Sequence, residues 1–124
     1  MLIVDDNVSF RDVARALLEA GGFLVAGEAG SVAEAVRFAA ATGPDVVLLD
    51  IGLPDGDGIS ACADLRAAAP LAVLVLCSVR AEEQYGDAVG RSPAAGFLTK
   101  SRLSAEALAG IVARARRGQR DDRR

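Results

Sequence analysis

The sequence predicts an α/β domain in which a parallel sheet is wound on both faces by helices, as five βα units. Three observations predict it. The apolar residues switch back and forth between short continuous runs and helical spacing. Two of the runs, Val46–Leu49 and Leu71–Cys77, are apolar without alternation, as strands covered on both faces are. The chain has 124 residues, of which 52% are hydrophobic and 25% charged, enough for one core and too few for two domains.

Leu2 to Val4 is the first strand, ending at Asp5-Asp6. Phe10, Val13, Leu17 and Leu18 mark a helical face that Gly21-Gly22 stops. Phe23 to Ala26 reads as the second strand. Ser31-Val-Ala-Glu34 has the form of a capping box, so a helix begins there, and Gly43-Pro44 ends it. Asp45 to Asp50 is the third strand. A loop of Gly, Pro and Asp follows, then a helix carrying Ile59, Cys62 and Leu65. Leu71 to Cys77 is the fourth strand. The next helix, Glu82 to Val89, is poor: Gly86 and Gly90 each cost about 1 kcal/mol against alanine, and Pro93 follows closely. Gly96-Phe97-Leu98 is a short fifth strand. Ser104 caps the last helix, Leu103 and Leu108 form a hydrophobic staple, and Gly118 is expected to end it. Residues 1–117 therefore form one domain, and 118–124 a polar tail or the start of a linker. Right-handed crossovers leave few topologies for five such units. The flavodoxin-like order 2-1-3-4-5 is the expected one.

Composition narrows the function. No apolar run approaches the ~20 residues that cross a bilayer. The N-terminal MLIVDD carries carboxylates where a secretory signal carries basic residues, so the cytoplasm is the default. Histidine is absent, which removes histidine triads, histidine general bases and histidine-containing zinc sites. Cys62 and Cys77 lie in apolar stretches and read as buried, reduced thiols. A net charge of −3 and an isoelectric point near 4.9 do not describe an electrostatic nucleic-acid binder. The arginines at the end, Arg114, Arg116, Arg117, Arg120, Arg123 and Arg124, read as a solvated last turn and linker rather than a nucleic-acid contact.

Function is expected outside the carboxyl ends of the strands, where the sheet order reverses. The first and third strands are neighbours there and end in Asp5-Asp6 and Asp50. The fourth ends at Cys77-Ser78 and the fifth at Thr99-Lys100, the only lysine among 14 basic residues. Asp is a poor strand residue, and gathered carboxylates repel unless something neutralises them. A hard divalent cation such as Mg²⁺ suits carboxylate and carbonyl oxygens. The competing reading is that Asp5 or Asp6 only caps the first helix. DIGLPDGDG also hints at a calcium loop, but Ile59 stands where an oxygen ligand is needed and Arg66 occupies the twelfth position. No Walker-type or strand-linked GxGxxG motif is present.

Taken together, LIVDD, LLDIGLPDGDG, LVLCS and GFLTK resemble the receiver domain of bacterial two-component response regulators, over roughly residues 1–117. GFLTK followed by Ser101 and not proline looks closest to receivers of regulators with a helix-turn-helix output domain. The resemblance implies that Asp50 is the phosphoacceptor. It implies Mg²⁺ (or Mn²⁺) held by Asp6, Asp50 and the backbone carbonyl of Gly52, with Asp5 acting through water. Lys100 and Ser78 would bind the phosphoryl group, Ser78 and Phe97 would form the switch, and Arg80 would modulate it. A sensor histidine kinase or phosphotransfer protein would be the donor. The fourth helix, fifth strand and fifth helix would face an output domain, C-terminal or separate and acting in transcription, or a second copy of the chain in a homodimer. Two other readings remain at this point: a Mg²⁺-dependent phosphatase or phosphotransferase of the haloacid-dehalogenase type, and a receiver that serves as a non-phosphorylated scaffold.

Overall fold

In the computed structural model the backbone is described for residues 1–122 and side-chain surroundings for residues 1–119. The chain runs β1 (Leu2–Val4), α1 (Val8–Ala20), β2 (Gly27–Ala29), α2 (Val32–Thr42), β3 (Val46–Asp50), β4 (Gly52–Leu53), β5 (Gly56–Asp57) and α3 (Gly58–Ala68). It continues through β6 (Val73–Ser78), a 3₁₀ turn at Glu82–Tyr85, α4 (Ala88–Arg91), β7 (Gly96–Thr99), a second 3₁₀ turn at Lys100–Arg102 and α5 (Ala105–Asp122). Five strands make one parallel sheet in the order β2-β1-β3-β6-β7, the expected 2-1-3-4-5 topology.

Successive strand residues point to opposite faces, so each continuous apolar run feeds two cores at once. Leu2, Val4, Val47, Leu49, Leu74 and Leu76 pack with Ala35, Ala39, Cys62 and Leu65 from α2 and α3. Met1, Ile3, Val46, Leu48, Val73 and Val75 pack with Leu18 of α1 and Leu108, Ile111 and Val112 of α5. Cys62 and Cys77 are free, buried, and assigned to different cores, so the reading of two reduced thiols holds. Burial pushes the Cys62 thiol up to about 11 and the Cys77 thiol up to about 12, which keeps both protonated and unreactive.

Several caps form as the residues specify. Ser31 Oγ accepts from Glu34 N–H, though Glu34 reaches back to the N–H of Gly30 and not to that of Ser31. Ser104 Oγ accepts from Ala107 N–H, and Leu103 packs in the same cluster as Leu108.

Five expectations need correction. The second strand is Gly27–Ala29, not Phe23–Ala26, because residues 21–23 turn back on the end of α1 and the ladder with β1 starts at Gly27. On α1 the buried side chains are Ala14 and Leu18, with Phe10 half-buried in line; Val13 is 64% and Leu17 38% exposed. The loop after Asp50 contains a small antiparallel hairpin, β4 against β5. The fourth helix divides into a 3₁₀ turn and one turn of α4, separated by Gly86 at φ 58°, a left-handed conformation that glycine accommodates. Gly118 has no positive φ, so α5 passes through it to Asp122. Of the arginine-rich end, Arg116 pairs with Asp45 at 3.3 Å; the side chain of Arg120 and all of Arg123 and Arg124 lie outside the described residues. Among the described residues no helix is long and apolar enough to cross a membrane.

Candidate functional site

β1 and β3 are adjacent and parallel, so their ends bring Asp5, Asp6 and Asp50 to one edge. One carboxylate oxygen from each lies within 4.8 Å of the others. Asp5 is 1% and Asp50 7% exposed, while Asp6 faces solvent. β6 pairs with β3 opposite Asp50 and delivers Ser78, and β7 pairs with β6 and delivers Lys100. The convergence read from the strand ends is therefore present.

The helix-cap reading does not hold, since Asn7 is the N-cap of α1 and its side chain accepts from Phe10 N–H. That leaves both acidic side chains free of the cap. Asp5 is fixed from four directions. Its N–H donates to Ala29 C=O at 2.9 Å, and its carbonyl accepts from Arg11 Nη1 at 2.5 Å. Its Oδ1 accepts from Asn7 N–H at 2.9 Å, and its Oδ2 meets Lys100 Nζ at 2.5 Å. Oδ2 is buried, with the Lys100 ammonium as its partner. Arg11 is itself held by Glu28 of β2, which also binds Arg15 at 2.7 Å.

Lys100 Nζ lies 3.6 Å from Asp50 Oδ1 and 4.3 Å from the centre of the Phe10 ring, so one ammonium serves two carboxylates and an aromatic face. Burial pushes the Asp50 carboxyl above its ordinary value and the Asp5 charge adds to this, while Lys100 and the Gly52 N–H pull the other way. Burial alone would lower the Lys100 ammonium, but its bond to Asp5 and the charge of Asp50 outweigh that and raise it. Three carboxylates against one ammonium leave the edge acidic. Three carboxylate oxygens gathered this closely at the ends of adjoining strands fit a hard divalent cation.

A cleft of about 380 Å³ opens above Asp50, lined by Gly52, Ser78, Arg80, Tyr85 and Lys100 among others. Gly52 lies on β4, two residues beyond Asp50, and nothing stands within 4 Å of where its Cβ would be. The loop is tied at both ends. Asp57 caps α3, and Asp55 accepts from Val32 and Ala33 N–H at the start of α2, at 2.8 and 3.1 Å. Ser78 is buried, with its Oγ 2.5 Å from Tyr85 Oη and 3.1 Å from Arg80 N. The Tyr85 ring lies 6.0 Å from the Phe97 ring, tilted by 53°. Arg80 is exposed at the cleft wall.

Reading along the chain missed Arg11, Asn7, Asp55 and Tyr85. Asn7 carried a legible signal, an N-cap residue just before the apolar period. Tyr85 carried none, because its contact with Ser78, seven residues back, depends on the irregular turn between them.

Residues 1–112 match the family model for the response regulator receiver domain. The chain is 43% identical over 102 residues to the DNA-binding transcriptional activator DevR/DosR of Mycobacterium tuberculosis, covering 81% of this chain and 46% of that protein. It is 40% identical over 100 residues to the KDP operon transcriptional regulatory protein KdpE of Escherichia coli, covering 81% and 44%. It thus spans about half the length of the curated relatives it matches. Among solved structures it is similar to a LuxR-family two-component response regulator from Aurantimonas sp., with TM-score 0.81 and 28% identity over 90% of this chain and 83% of that one. It is also similar to the signal receiver domain of the putative response regulator NarL from Mycobacterium tuberculosis, with TM-score 0.79 and 31% identity over 90% and 94%.

Proposed function

The chain belongs to the response regulator receiver domains, and from that premise we propose that it accepts a phosphoryl group on Asp50 and passes the change to another surface. The observation that carries this is the gathering of the Asp5, Asp6 and Asp50 oxygens within 4.8 Å beside the only lysine.

A carboxylate can act as the nucleophile in forming an acyl phosphate. An Asp50 oxygen attacks phosphorus, the new O–P bond forms as the donor's N–P bond breaks, and the donor imidazole keeps the electron pair. Asp6, Asp50 and the Gly52 carbonyl would hold Mg²⁺ or Mn²⁺, with Asp5 acting through water. A bound cation supplies neutralisation of the phosphoryl oxygens. Lys100 swings from Asp5 and Asp50 toward the same oxygens, as charge-assisted hydrogen bonding favours. Ser78 donates to a phosphoryl oxygen. Phe97 follows Ser78, so a charge change at Asp50 becomes a packing change at β7. Arg80 at the cleft wall tunes the lifetime of the phosphate.

A histidine kinase or phosphotransfer protein supplies the phosphoryl group, and a cytoplasmic location goes with that partner. The surface of α4, β7 and α5 regulates an output domain, a separate partner or a second copy, with transcription as the outcome. No turnover of a free substrate belongs to this reading. The haloacid-dehalogenase alternative requires its nucleophile in a DxD arrangement after the first strand, and β1 is followed by Asp5-Asp6-Asn7.

Incubation with acetyl phosphate and Mg²⁺, followed by intact mass, tests the proposal. Wild type gains one hydroxylamine-sensitive phosphate and Asp50→Ala gains none. A wild type that stays unmodified would leave a scaffold receiver as the better account.

A further inference from the structure

Tyr85 lies outside the residues given roles above, yet its hydroxyl stands 2.5 Å from Ser78 Oγ, and it lines the same cleft as Asp50 and Lys100. A serine hydroxyl has one proton and two lone pairs. Arg80 N–H already occupies one lone pair of Ser78 Oγ at 3.1 Å. One hydrogen then lies between Ser78 and Tyr85, and its direction decides what Ser78 can still do. With Ser78 as donor, its proton is spent on Tyr85 and only the Tyr85 phenol proton remains for the cleft. With Tyr85 as donor, both lone pairs are filled and the Ser78 proton is the one group left to bond an oxygen above Asp50.

An ionised phosphoryl oxygen only accepts hydrogen bonds. Where it bonds Ser78, as the proposed function holds, its arrival selects the second arrangement. We infer that Tyr85 is a positioning residue for phosphoryl binding, donating its phenol proton to Ser78 Oγ so that the Ser78 proton is turned toward the anion on Asp50. The inference rests on the receiver reading of Asp50 and Ser78. The 6.0 Å ring contact with Phe97 keeps Tyr85 in place and joins the relay to β7. The chain holds one tyrosine and no tryptophan, so Tyr85 also reports on itself.

The test is beryllofluoride titration with Mg²⁺, followed by the fluorine signal of the bound species, on wild type, Tyr85→Phe, Ser78→Ala and the double variant. Phenylalanine keeps the ring against Phe97 and removes only the hydroxyl. Tyr85→Phe is expected to bind about fivefold more weakly, as for loss of one neutral hydrogen bond. The same change in the Ser78→Ala background is expected to do nothing, because Tyr85 acts through Ser78. Unweakened binding by Tyr85→Phe, or the same loss with and without Ser78, would overturn the inference. A second measurement needs no variant: tyrosine fluorescence of the wild type changes when Mg²⁺ and beryllofluoride are added together, and an unchanged spectrum with the fluorine signal present contradicts the relay. Absence of any bound fluorine signal on the wild type would overturn the phosphoacceptor reading of Asp50 along with it, which separates the two failures.

Discussion

Burial raises the Asp50 carboxyl and the Asp5 charge adds to the effect, against the pull of Lys100 and the Gly52 N–H. The consequence for stability has a definite sign. Between the ordinary carboxylate pKa of about 3.9 and the higher native value, the folded chain binds more protons at Asp50 than the unfolded chain does. Stability from this group therefore falls as pH rises through that window. Glu28 works the other way. Its hydrogen bond from Arg15 holds it below the usual range, so its contribution is present at neutral pH and is lost as pH falls through its native value. Asp50→Asn isolates the first effect. In metal-free buffer the variant is expected to melt at a higher temperature than wild type at neutral pH, with the difference shrinking toward about pH 4. Thermal melts across that range check it, and a variant that melts lower at neutral pH would show that Asp50 is not held under electrostatic stress.

The hairpin of β4 and β5 and the start of α3 place the Gly52 backbone, and one glycine sets how closely they approach. A Cβ at Gly58 would sit 2.3 Å from the Asp50 carbonyl oxygen and 2.7 Å from Ile51 Cα, both backbone atoms with little room to move. Gly58→Ala is expected to cost about 1–3 kcal/mol, the usual range for overpacking, read as a lower urea midpoint with an unchanged slope. A midpoint equal to wild type would mean that the loop has slack. This hairpin was not legible in the sequence, since Gly52-Leu53 and Gly56-Asp57 show no strand pattern, and its turn residue Asp55 is anchored to the N–H groups at the start of α2. β2 was misplaced for a related reason. It is an edge strand of Gly-Glu-Ala, whose central Glu28 serves Arg11 and Arg15, whereas the apolar Phe23–Ala26 lies beside it. The central strands were legible because burial on both faces leaves no polar position in the run. On α1 the Val13–Leu17 pair mimics a buried stripe, but the helix turns Ala14 and Leu18 to the sheet and leaves Val13 and Leu17 exposed.

At the scale of the whole molecule, the topology does the gathering. Parallel strands end on the same side, and the sheet order reverses between β1 and β3, where such sheets form a crevice. Acidic residues at those ends were therefore readable as a site before any coordinate was known. Their partners, such as Arg11 beneath Asp5 and Tyr85 against Ser78, were not: each stands only six or seven residues further on, but no periodic pattern fixes how the intervening turn aims the side chain. The proposed function requires the acidic edge to hold a cation. Calorimetric titration of Mg²⁺ into the metal-free protein tests that most directly. Wild type is predicted to bind one equivalent, with binding weakened by Asp50→Asn and by Asp6→Asn. Heats at the level of dilution for wild type, or unchanged binding in both variants, would contradict it.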